Sequence, residues 1–471
     1  MHPVLKGQGI MGATDRIAAL AALIGPAHVL TAPEAMEPYT SDWGARYRGA
    51  PGMVLRPGST AEVAACVARL ADWGLSILPS GGRTGLCGGA APADGAAVVS
   101  LERLNRIRDV DARDMSLVAE AGATVQAVQA AAAGRMFPLS FGAEGSAQIG
   151  GALSTNAGGI RTIRWGNARD LVLGLEVVLP DGRVLDDLRR VRKDNTGYAL
   201  RHLFLGAEGT LGLITAAALK LVPPLRVRET GFAAVASPDA ALAMLEGLQA
   251  EGAELVAFEL ISRLTLENVL RHGSRVRAPF ALDAPWYVLV ELGSGARGAS
   301  LREGLEAALA EASDAVIAQS EEQRQALWRL REITPECNRA EAPQLPFDIA
   351  VPVSAVPALL ARLEALLAAR WPEGRMVAMG HAGDGNMHIG FLAPRGMARE
   401  AWTARLEGAE AAVHALAVEL GGTFSAEHGV GACKLDAMAA LKDPVALDLM
   451  RAVKRAFDPH GLMNPGKVLP G

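Results

Sequence analysis

Glycine is concentrated in three stretches of the first half of this chain, and this distribution restricts the fold more than any other feature. The stretches are PSGGRTGLCGG at residues 79–89, GAEGSAQIGGALSTNAGG at 142–159 and GAEGTLG at 206–212. Glycine has no β-carbon, so it allows positive φ angles and lets backbone N–H groups approach a ligand closely. One such stretch can be a plain surface loop. Three of them, with Glu208 as an acceptor for a ribose hydroxyl, predict a site for a dinucleotide.

Two further glycine patterns are alternatives for dinucleotide binding. GQGIMG at residues 7–12 follows no predicted strand and is dismissed. GSGARG at residues 293–298 follows the predicted strand WYVLVEL and precedes a predicted helix, which is the context of a Rossmann-type NAD site. A turn between a strand and a helix can also match this pattern by chance. An NAD-dependent dehydrogenase is therefore an alternative prediction and not the main one.

Length and composition narrow the class of protein. A chain of 471 residues exceeds what one hydrophobic core supports, which predicts two or three domains. The net charge of −5 and the lack of a basic stripe argue against a nucleic acid partner. No apolar run approaches the roughly 20 residues that cross a bilayer. The cysteines show neither paired spacing nor a metal-ligand pattern, which predicts reduced thiols in a cytoplasmic protein.

Local patterns predict the order of elements in the first half. The N-terminal apolar stretch predicts a helix capped by Thr14 or Asp15. VLRPGSTAEVAACVARLADWGLSILPSGG predicts a strand, a helix capped by Ser59 or Thr60, and a second strand. The break at residues 180–182 predicts a hairpin.

The pattern changes after Pro223 and Pro224, which mark a predicted linker. Beyond them, strands such as LVAFELIS alternate with amphipathic helices, one of which begins at Ser237 and Pro238. This alternation predicts a second domain with an antiparallel or mixed sheet backed by helices.

The C-terminal third carries a candidate metal site. His381 and His388 flank a GDGN turn, and a hairpin-like bend would bring both imidazoles onto one metal with Glu427 as a third ligand. Two histidines and one carboxylate leave coordination positions open, as in catalytic sites. His428 would remain free as a base. Each histidine alone could equally be a hydrogen-bonded loop residue, and a metal-dependent hydrolase without a redox cofactor is another alternative.

Arg331 is the remaining candidate for substrate binding. It lies in the predicted helix LWRLREITPEC, where its guanidinium could bind a substrate carboxylate in a forked geometry. A solvated surface charge would explain the residue equally well.

Six motifs follow one another along the chain: PSGGRTGLCGG, EGSAQIGGALSTNAGG, RKDNTGYALRHLFLGAEGTLGLIT, GHAGDGNMHIG, SAEHGVG and DPHGLMNPGKVLP. Together they resemble the FAD-linked D-2-hydroxyacid dehydrogenases of the D-2-hydroxyglutarate and D-lactate dehydrogenase type. The resemblance implies an α+β fold of the vanillyl-alcohol-oxidase (PCMH) type, in which an FAD-binding domain of two α/β subdomains carries a cap domain with a mainly antiparallel sheet backed by helices. The implied boundaries are an N-terminal helical segment at 1–46, the FAD-binding domain at 47–225, the cap at 226–424 and a segment returning to the flavin at 425–471.

The resemblance also implies roles for single residues. His381, His388 and Glu427 match the metal ligands, with zinc the favoured divalent metal, while His428 matches the catalytic base that contacts substrate and Arg331 the substrate-carboxylate arginine. The residues that match FAD contacts are Ser80, Gly81, Gly82, Arg83, Thr84, Gly85, Gly145, Ser146, Gly150, Gly151, Asn156, Gly158, Gly159, Glu208, Gly209, Ile214 and Asn464.

The same resemblance implies the partners of the reaction. The substrate would be a small D-2-hydroxy acid, and electrons would leave through an electron-transfer flavoprotein, a quinone or a cytochrome rather than NAD. The sequence leaves open whether the protein is a homodimer. Two positions depart from the family, which usually has lysine at Pro346 and asparagine at Gly390. Their loss puts a second substrate carboxylate in doubt and suggests a bulkier or less polar substrate side chain.

Overall fold

The computed structural model describes residues 11–471, and within them the strands form three sheets. The strands of the first half are β1 (Val29–Leu30), β2 (Met53–Leu55), β3 (Ile77–Ser80), β4 (Ala97–Ser100), β5 (Ile107–Asp111), β6 (Ser116–Glu120), β7 (Val172–Val178), β8 (Val184–Asp187) and β9 (Leu213–Lys220). The helices of the first half are α1 (Ala13–Ile24), α2 (Pro33–Met36), α3 (Thr60–Asp72), α4 (Val125–Ala130), α5 (Ile149–Ser154), α6 (Thr162–Trp165) and α7 (Arg201–Phe204).

The first sheet has the order β1-β2-β4-β3 and contains the predicted strand–helix–strand unit. β2 and β3 both run parallel to β4, which lies between them, and α3 connects the two. Ser59 caps α3 by accepting a hydrogen bond from the backbone N–H of Glu62, as predicted. The cap predicted for α1 is wrong. That helix begins at Ala13 after Gly12, and no side chain caps it, so Thr14 and Asp15 lie inside its first turn.

The second sheet is antiparallel, in the order β5-β6-β9-β7-β8. A tight turn at residues 179–183 joins β7 to β8, which confirms the predicted hairpin. Apolar residues of α4 and α5 share one buried cluster with β6, β7 and β9. The glycine stretch at 142–159 therefore runs into a helix that is fixed by core packing. Residues 7–10 of the GQGIMG pattern lie outside the described part of the chain.

The third sheet follows the proline pair and has the order β13-β10-β12-β11-β15-β16-β14, with every neighbouring pair antiparallel. One of its faces packs on α8, α10, α13 and α15 in the largest buried cluster. The strands are β10 (Val227–Val235), β11 (Leu255–Ser262), β12 (Trp286–Ser294), β13 (Asp314–Ile317), β14 (Gln344–Ala350), β15 (Arg375–His381) and β16 (Asn386–Leu392). The helices are α8 (Pro238–Ala250), α9 (Arg263–His272), α10 (Arg302–Leu309), α11 (Glu321–Glu332), α12 (Thr334–Glu341), α13 (Val356–Arg370), α14 (Arg399–Arg405), α15 (Ala409–Glu419), α16 (Leu435–Leu441) and α17 (Pro444–Phe457).

The GSGARG stretch at residues 293–298 lacks the structure of a Rossmann site. Its first two residues end β12, which is antiparallel to both of its neighbours, β10 and β11. A Rossmann site requires a parallel strand–helix–strand unit with the helix starting at the glycines. Here the helix α10 begins only at Arg302. The alternative of NAD binding at this loop is therefore wrong.

The C-terminal segment returns to the first sheet. Met463 forms a parallel bridge with Ile77 of β3, and the backbone N–H of Asn464 donates to the carbonyl of Ile77 at 2.8 Å. The last residues thus lie beside the first glycine stretch. Between residues 11 and 471, no helix has the length and apolar character needed to cross a membrane.

Candidate active site

The hairpin of β15 and β16 brings two of the predicted metal ligands together. His388 pairs with Met379 across the two strands, so its ring lies on the same face as that of His381, and the ring centroids are 5.4 Å apart. Glu427 reaches both rings from the C-terminal segment. Its carboxylate oxygens lie 3.5 Å from Nε2 of His381 and 3.9 Å from Nε2 of His388. Each of the three offers a ligand atom within 4.8 Å of the others, a set able to hold a divalent metal.

Glu259 on β11 is a fully buried carboxylate that the sequence analysis missed. Its two oxygens bind Nδ1 of His381 and Nε of Arg331, each at 2.5 Å. Burial would raise the pKa of Glu259, but the two cations outweigh burial and lower it to about 2. Burial would likewise lower the pKa of His381, yet Glu259 and then Glu427 raise it to about 9. Glu259 therefore fixes the orientation of both predicted site residues and leaves Nε2 of His381 facing the cluster.

Asp348 on β14 is a second buried carboxylate that the analysis did not single out. One of its oxygens accepts the backbone N–H groups of Glu427 and His428, both at 2.9 Å. The same oxygen lies 3.5 Å from Nδ1 of His428, and the other lies 3.7 Å from Nδ1 of His388. Burial would raise the pKa of Asp348, but His428 and Lys434 hold it well below its usual value. Burial lowers the pKa of His388 to about 3, so this imidazole is neutral and can ligate a metal.

Both missed carboxylates carry a signal in the sequence. Glu259 interrupts the apolar strand LVAFELIS, and Asp348 interrupts PFDIAV. A charged side chain inside a fully buried strand is rarely tolerated without a partner. The partners themselves lie on strands distant in sequence, so the pattern alone does not identify them.

The three glycine stretches and the C-terminal segment converge on one place. A β-carbon at Gly82 would lie 2.1 Å from the carbonyl of Ser146, so the first two stretches touch through their backbones. Gly209 packs on Pro79, which brings in the third stretch. The side chain of Asn464 donates to the carbonyls of Gly89 and Glu208, at 3.2 and 2.8 Å. This convergence is what a ligand larger than a single phosphate requires.

Buried polar atoms at this junction fit a polar ligand. Oγ of Ser80 and Oε1 of Gln148 are buried and have no hydrogen-bond partner among residues 11–471. Buried polar groups are normally satisfied, so these two point to a ligand. The other residues predicted to contact FAD lie in the same stretches, and they are Gly81, Arg83, Thr84, Gly85, Gly145, Gly150, Gly151, Gly158 and Gly159.

Three of the predicted contacts have structural partners of their own. The carboxylate of Glu208 accepts the backbone N–H groups of Val430 and Gly431, so it holds the C-terminal segment. The side chain of Asn156 accepts the backbone N–H of Arg169 at 2.9 Å. Ile214 is a buried residue of β9 within the core of the second sheet.

A cavity of about 190 Å³ lies between the first half of the chain and the third sheet. Arg161, Arg228 and Arg324 line it together with Trp328 and Glu332. Nε of Arg161 is buried without a partner among the described residues, and burial followed by the charge of Arg228 lowers the pKa of this guanidinium. Trp328 and Glu332 belong to α11, the helix that also carries the predicted substrate arginine, Arg331.

Sequence comparisons assign this architecture to a family. The profile described as "FAD linked oxidases, C-terminal domain" matches residues 225–468, more than half of the chain, and the profile "FAD binding domain" matches residues 51–187. The chain belongs to the FAD-linked oxidase family. It is 39% identical over 461 residues to the D-2-hydroxyglutarate dehydrogenase of Xanthomonas citri pv. viticola, an alignment that covers 96% of each chain. It is 36% identical to the protein of the same name from Stutzerimonas stutzeri, with coverage of 95% of this chain and 97% of the relative.

Two solved structures share the fold. p-Cresol methylhydroxylase with substrate bound has a TM-score of 0.74 at 16% identity, with coverage of 96% of both chains. A 4-ethylphenol oxidase from Gulosibacter chungangensis, in complex with isoeugenol, has a TM-score of 0.73 at 17% identity, covering 97% of both chains. The α+β fold of the vanillyl-alcohol-oxidase type is therefore confirmed, and so is the resemblance to the FAD-dependent D-2-hydroxyacid dehydrogenases. Family membership also confirms FAD as the cofactor.

Proposed function

We propose that this protein oxidises a small D-2-hydroxy acid at C2 to the 2-oxo acid. The reaction would use FAD and a divalent metal, and the set of ligands favours zinc as that metal. The observation that carries the proposal is the contact between the flavin loops and the metal cluster. A β-carbon at Gly158, in the second glycine stretch, would lie 2.9 Å from a carboxylate oxygen of Glu427. A flavin held by that stretch and a metal held by Glu427 would therefore face the same substrate.

The residues present fit a zinc ion. His381, His388 and Glu427 would hold it, and it would act as a Lewis acid that lowers the pKa of the substrate hydroxyl. Histidines that bind a metal usually donate their second ring N–H to a carboxylate, which fixes the ring. Glu259 stands in that position for His381, and Asp348 lies near Nδ1 of His388.

His428 is the proposed base. With Nδ1 directed at Asp348, its Nε2 is the nitrogen left to take the hydroxyl proton. Its ring stacks on that of His388, with centroids 5.9 Å apart, so it stands beside the metal cluster. FAD, when bound, supplies the hydride acceptor that side chains cannot provide.

Arg331 is the proposed ligand of the substrate carboxylate. Its Nε is held by Glu259, whereas its terminal nitrogens make no hydrogen bond within residues 11–471. A guanidinium fixed on one side and free on the other can bind a carboxylate with little loss of entropy. Arg161 and Arg228 line the cavity against the same helix, and their positive charge would attract an acidic substrate.

The proposed substrate has a side chain that is bulkier or less polar than that of 2-hydroxyglutarate, although the relatives above are named for that compound. Pro346 and Gly390 carry no charge and no side-chain amide at the positions where the family usually has lysine and asparagine. We propose that the electrons pass to an electron-transfer flavoprotein or a quinone in the cytoplasm.

A visible spectrum tests the proposal. The purified protein is mixed anaerobically with a panel of D- and L-2-hydroxy acids and no other acceptor. Bleaching of the flavin band by D-isomers alone is the expected result. A flavin that stays oxidised with every D-isomer would reject the substrate class. Ester hydrolysis by protein stripped of flavin would instead favour the hydrolase alternative.

A further inference from the structure

Cys87 and Cys433 lie side by side although they are far apart in the sequence. The backbone N–H of Cys433 donates to the carbonyl of Cys87 at 3.2 Å, and that of Ala432 donates to the same carbonyl at 2.8 Å. The covalent bonds that join this N–H and this carbonyl to their α-carbons are short. Together with the hydrogen bond from Cys433 to Cys87, they limit the separation of the two α-carbons to about 7 Å. Disulfides bridge α-carbons that are about 4.4–6.8 Å apart, so the backbone already holds the pair near bonding range.

The two thiols also differ in the way that a reactive pair requires. Cys433 is partly exposed, whereas Cys87 is buried. The neighbouring Cys87 thiol, followed by Lys434 and Arg46, lowers the pKa of Cys433. The same contact and burial raise the pKa of Cys87. An accessible thiol with a lowered pKa beside a second thiol is the arrangement found in redox-sensitive cysteines.

We propose that Cys87 and Cys433 form a reversible disulfide when the protein meets hydrogen peroxide. The Cys433 thiolate attacks one peroxide oxygen, so an S–O bond forms, the O–O bond breaks and, with one proton, water leaves. The Cys87 thiol then attacks that sulfur, an S–S bond forms, the S–O bond breaks and a second water leaves. Two thiols lose two electrons and two protons, and one peroxide becomes two waters.

The bond would tether two parts of the FAD site. Cys87 belongs to the first glycine stretch, and Cys433 follows the Glu427–His428 pair in the C-terminal segment. In the reduced protein, the carboxylate of Glu208 and the backbone contacts at Gly431 hold this segment in place. A covalent link would prevent the two parts from separating, so the oxidised protein should release FAD several-fold more slowly than the reduced protein.

Peptide mapping of the FAD-loaded protein tests the bond itself. After peroxide treatment, trypsin digestion without reductant should give residues 84–103 linked to residues 406–434, and dithiothreitol should separate them. Cys87→Ser and Cys433→Ser should each abolish the linked peptide. Cys66→Ser and Cys337→Ser, at buried thiols elsewhere, are the matched controls and should leave it intact.

The rate of FAD release gives a second test. It is measured on the wild-type protein, so it does not depend on whether a variant folds. The rate at which flavin fluorescence appears after dilution should fall on oxidation and recover with dithiothreitol, and alkylation of Cys433 beforehand should remove the effect. Absence of the linked peptide under peroxide that fully oxidises an exposed control thiol would overturn the proposal. So would an unchanged release rate in protein that carries the bond. Neither result depends on the identity of the hydroxy acid.

Discussion

Pro346 lies directly opposite Gly390 in the pairing of β14 with β16. β14 is the last strand of its sheet, a position in which proline costs no interstrand hydrogen bond. A β-carbon at Gly390 would lie 2.5 Å from the amide oxygen of Gln344, so that side chain occupies the space above the glycine. Pro346 and Gly390, the two positions that depart from the family, therefore form one uncharged patch. It lies on the face of the third sheet that carries the side chain of Asp348.

Pro346→Lys is expected to shift substrate preference towards dicarboxylic acids. A new cation beside the site would bind a second carboxylate, and hydrogen bonds to charged groups contribute about 1.5–3 kcal/mol. The ratio of kcat/KM for D-2-hydroxyglutarate to that for D-lactate should rise about 10- to 100-fold. Pro346→Gln is the uncharged control. An equal shift in both variants, or a wild-type protein that already strongly prefers D-2-hydroxyglutarate, would contradict the assignment of this patch.

Glu259→Gln is expected to weaken metal binding. Replacing the carboxylate removes the charge that orients His381, and loss of such a partner typically costs 10- to 100-fold in metal affinity. Zinc competition with a chromogenic chelator measures the change. Glu291→Gln is the matched control. Glu291 is also a buried carboxylate of the third sheet, but it accepts hydrogen bonds from the side chains of Thr230, Arg324 and Trp328 and none from His381. Equal losses in both variants would mean that the effect is structural.

Zinc affinity should rise with pH. In the metal-free protein the pKa of His381 is about 9, so below that pH the imidazole carries a proton that zinc must displace. The apparent Kd is expected to fall by about tenfold per pH unit between pH 6 and pH 8 and to level off near pH 9. Titrations in buffers that do not bind zinc provide the measurement. A Kd independent of pH across this range would show that His381 is not a ligand.

His428→Ala should lower turnover and leave the flavin bound. General bases contribute about 10²- to 10⁴-fold to rate, and the predicted loss of kcat lies in that range. The ratio of flavin to protein absorbance should match that of the wild type, because His428 lies in none of the glycine stretches. Near-normal turnover in this variant would reject the role of base.

Arg228→Gln should slow the capture of substrate rather than the chemical step. Arg228 lines the cavity against α11, the helix that carries Arg331, and within residues 11–471 it forms no salt bridge. Its removal should lower kcat/KM at low ionic strength and flatten the dependence of kcat/KM on salt, while kcat stays unchanged. Arg302→Gln is a control, since that arginine lies on α10 and is paired with Glu229 of β10 and Glu306 of the same helix. A drop in kcat alone would contradict a role in attraction.

The parts of this site that sequence could predict are those built from near neighbours in the chain. His381 and His388 flank one turn, so the hairpin that joins them follows from spacing. Glu259 could not be assigned to His381 beforehand, because the contact depends on β11 pairing with β15 across more than a hundred residues. The meeting of Cys87 with Cys433 likewise depends on contacts between segments that are far apart in the sequence. The cap of α1 failed for a local reason, since Gly12 starts the helix where Thr14 or Asp15 was expected.

The β-bridge between Ile77 and Met463 determines when the first sheet can finish folding during translation. β3 leaves the ribosome early, but its partner Met463 and the contacts of Asn464 are synthesised only after all strands of the third sheet. Domains usually fold as units while the chain emerges. Here the first sheet must wait, incompletely paired, until the third sheet has been made. A ribosome stalled shortly before residue 463 should therefore display a folded third sheet beside an unfinished first sheet.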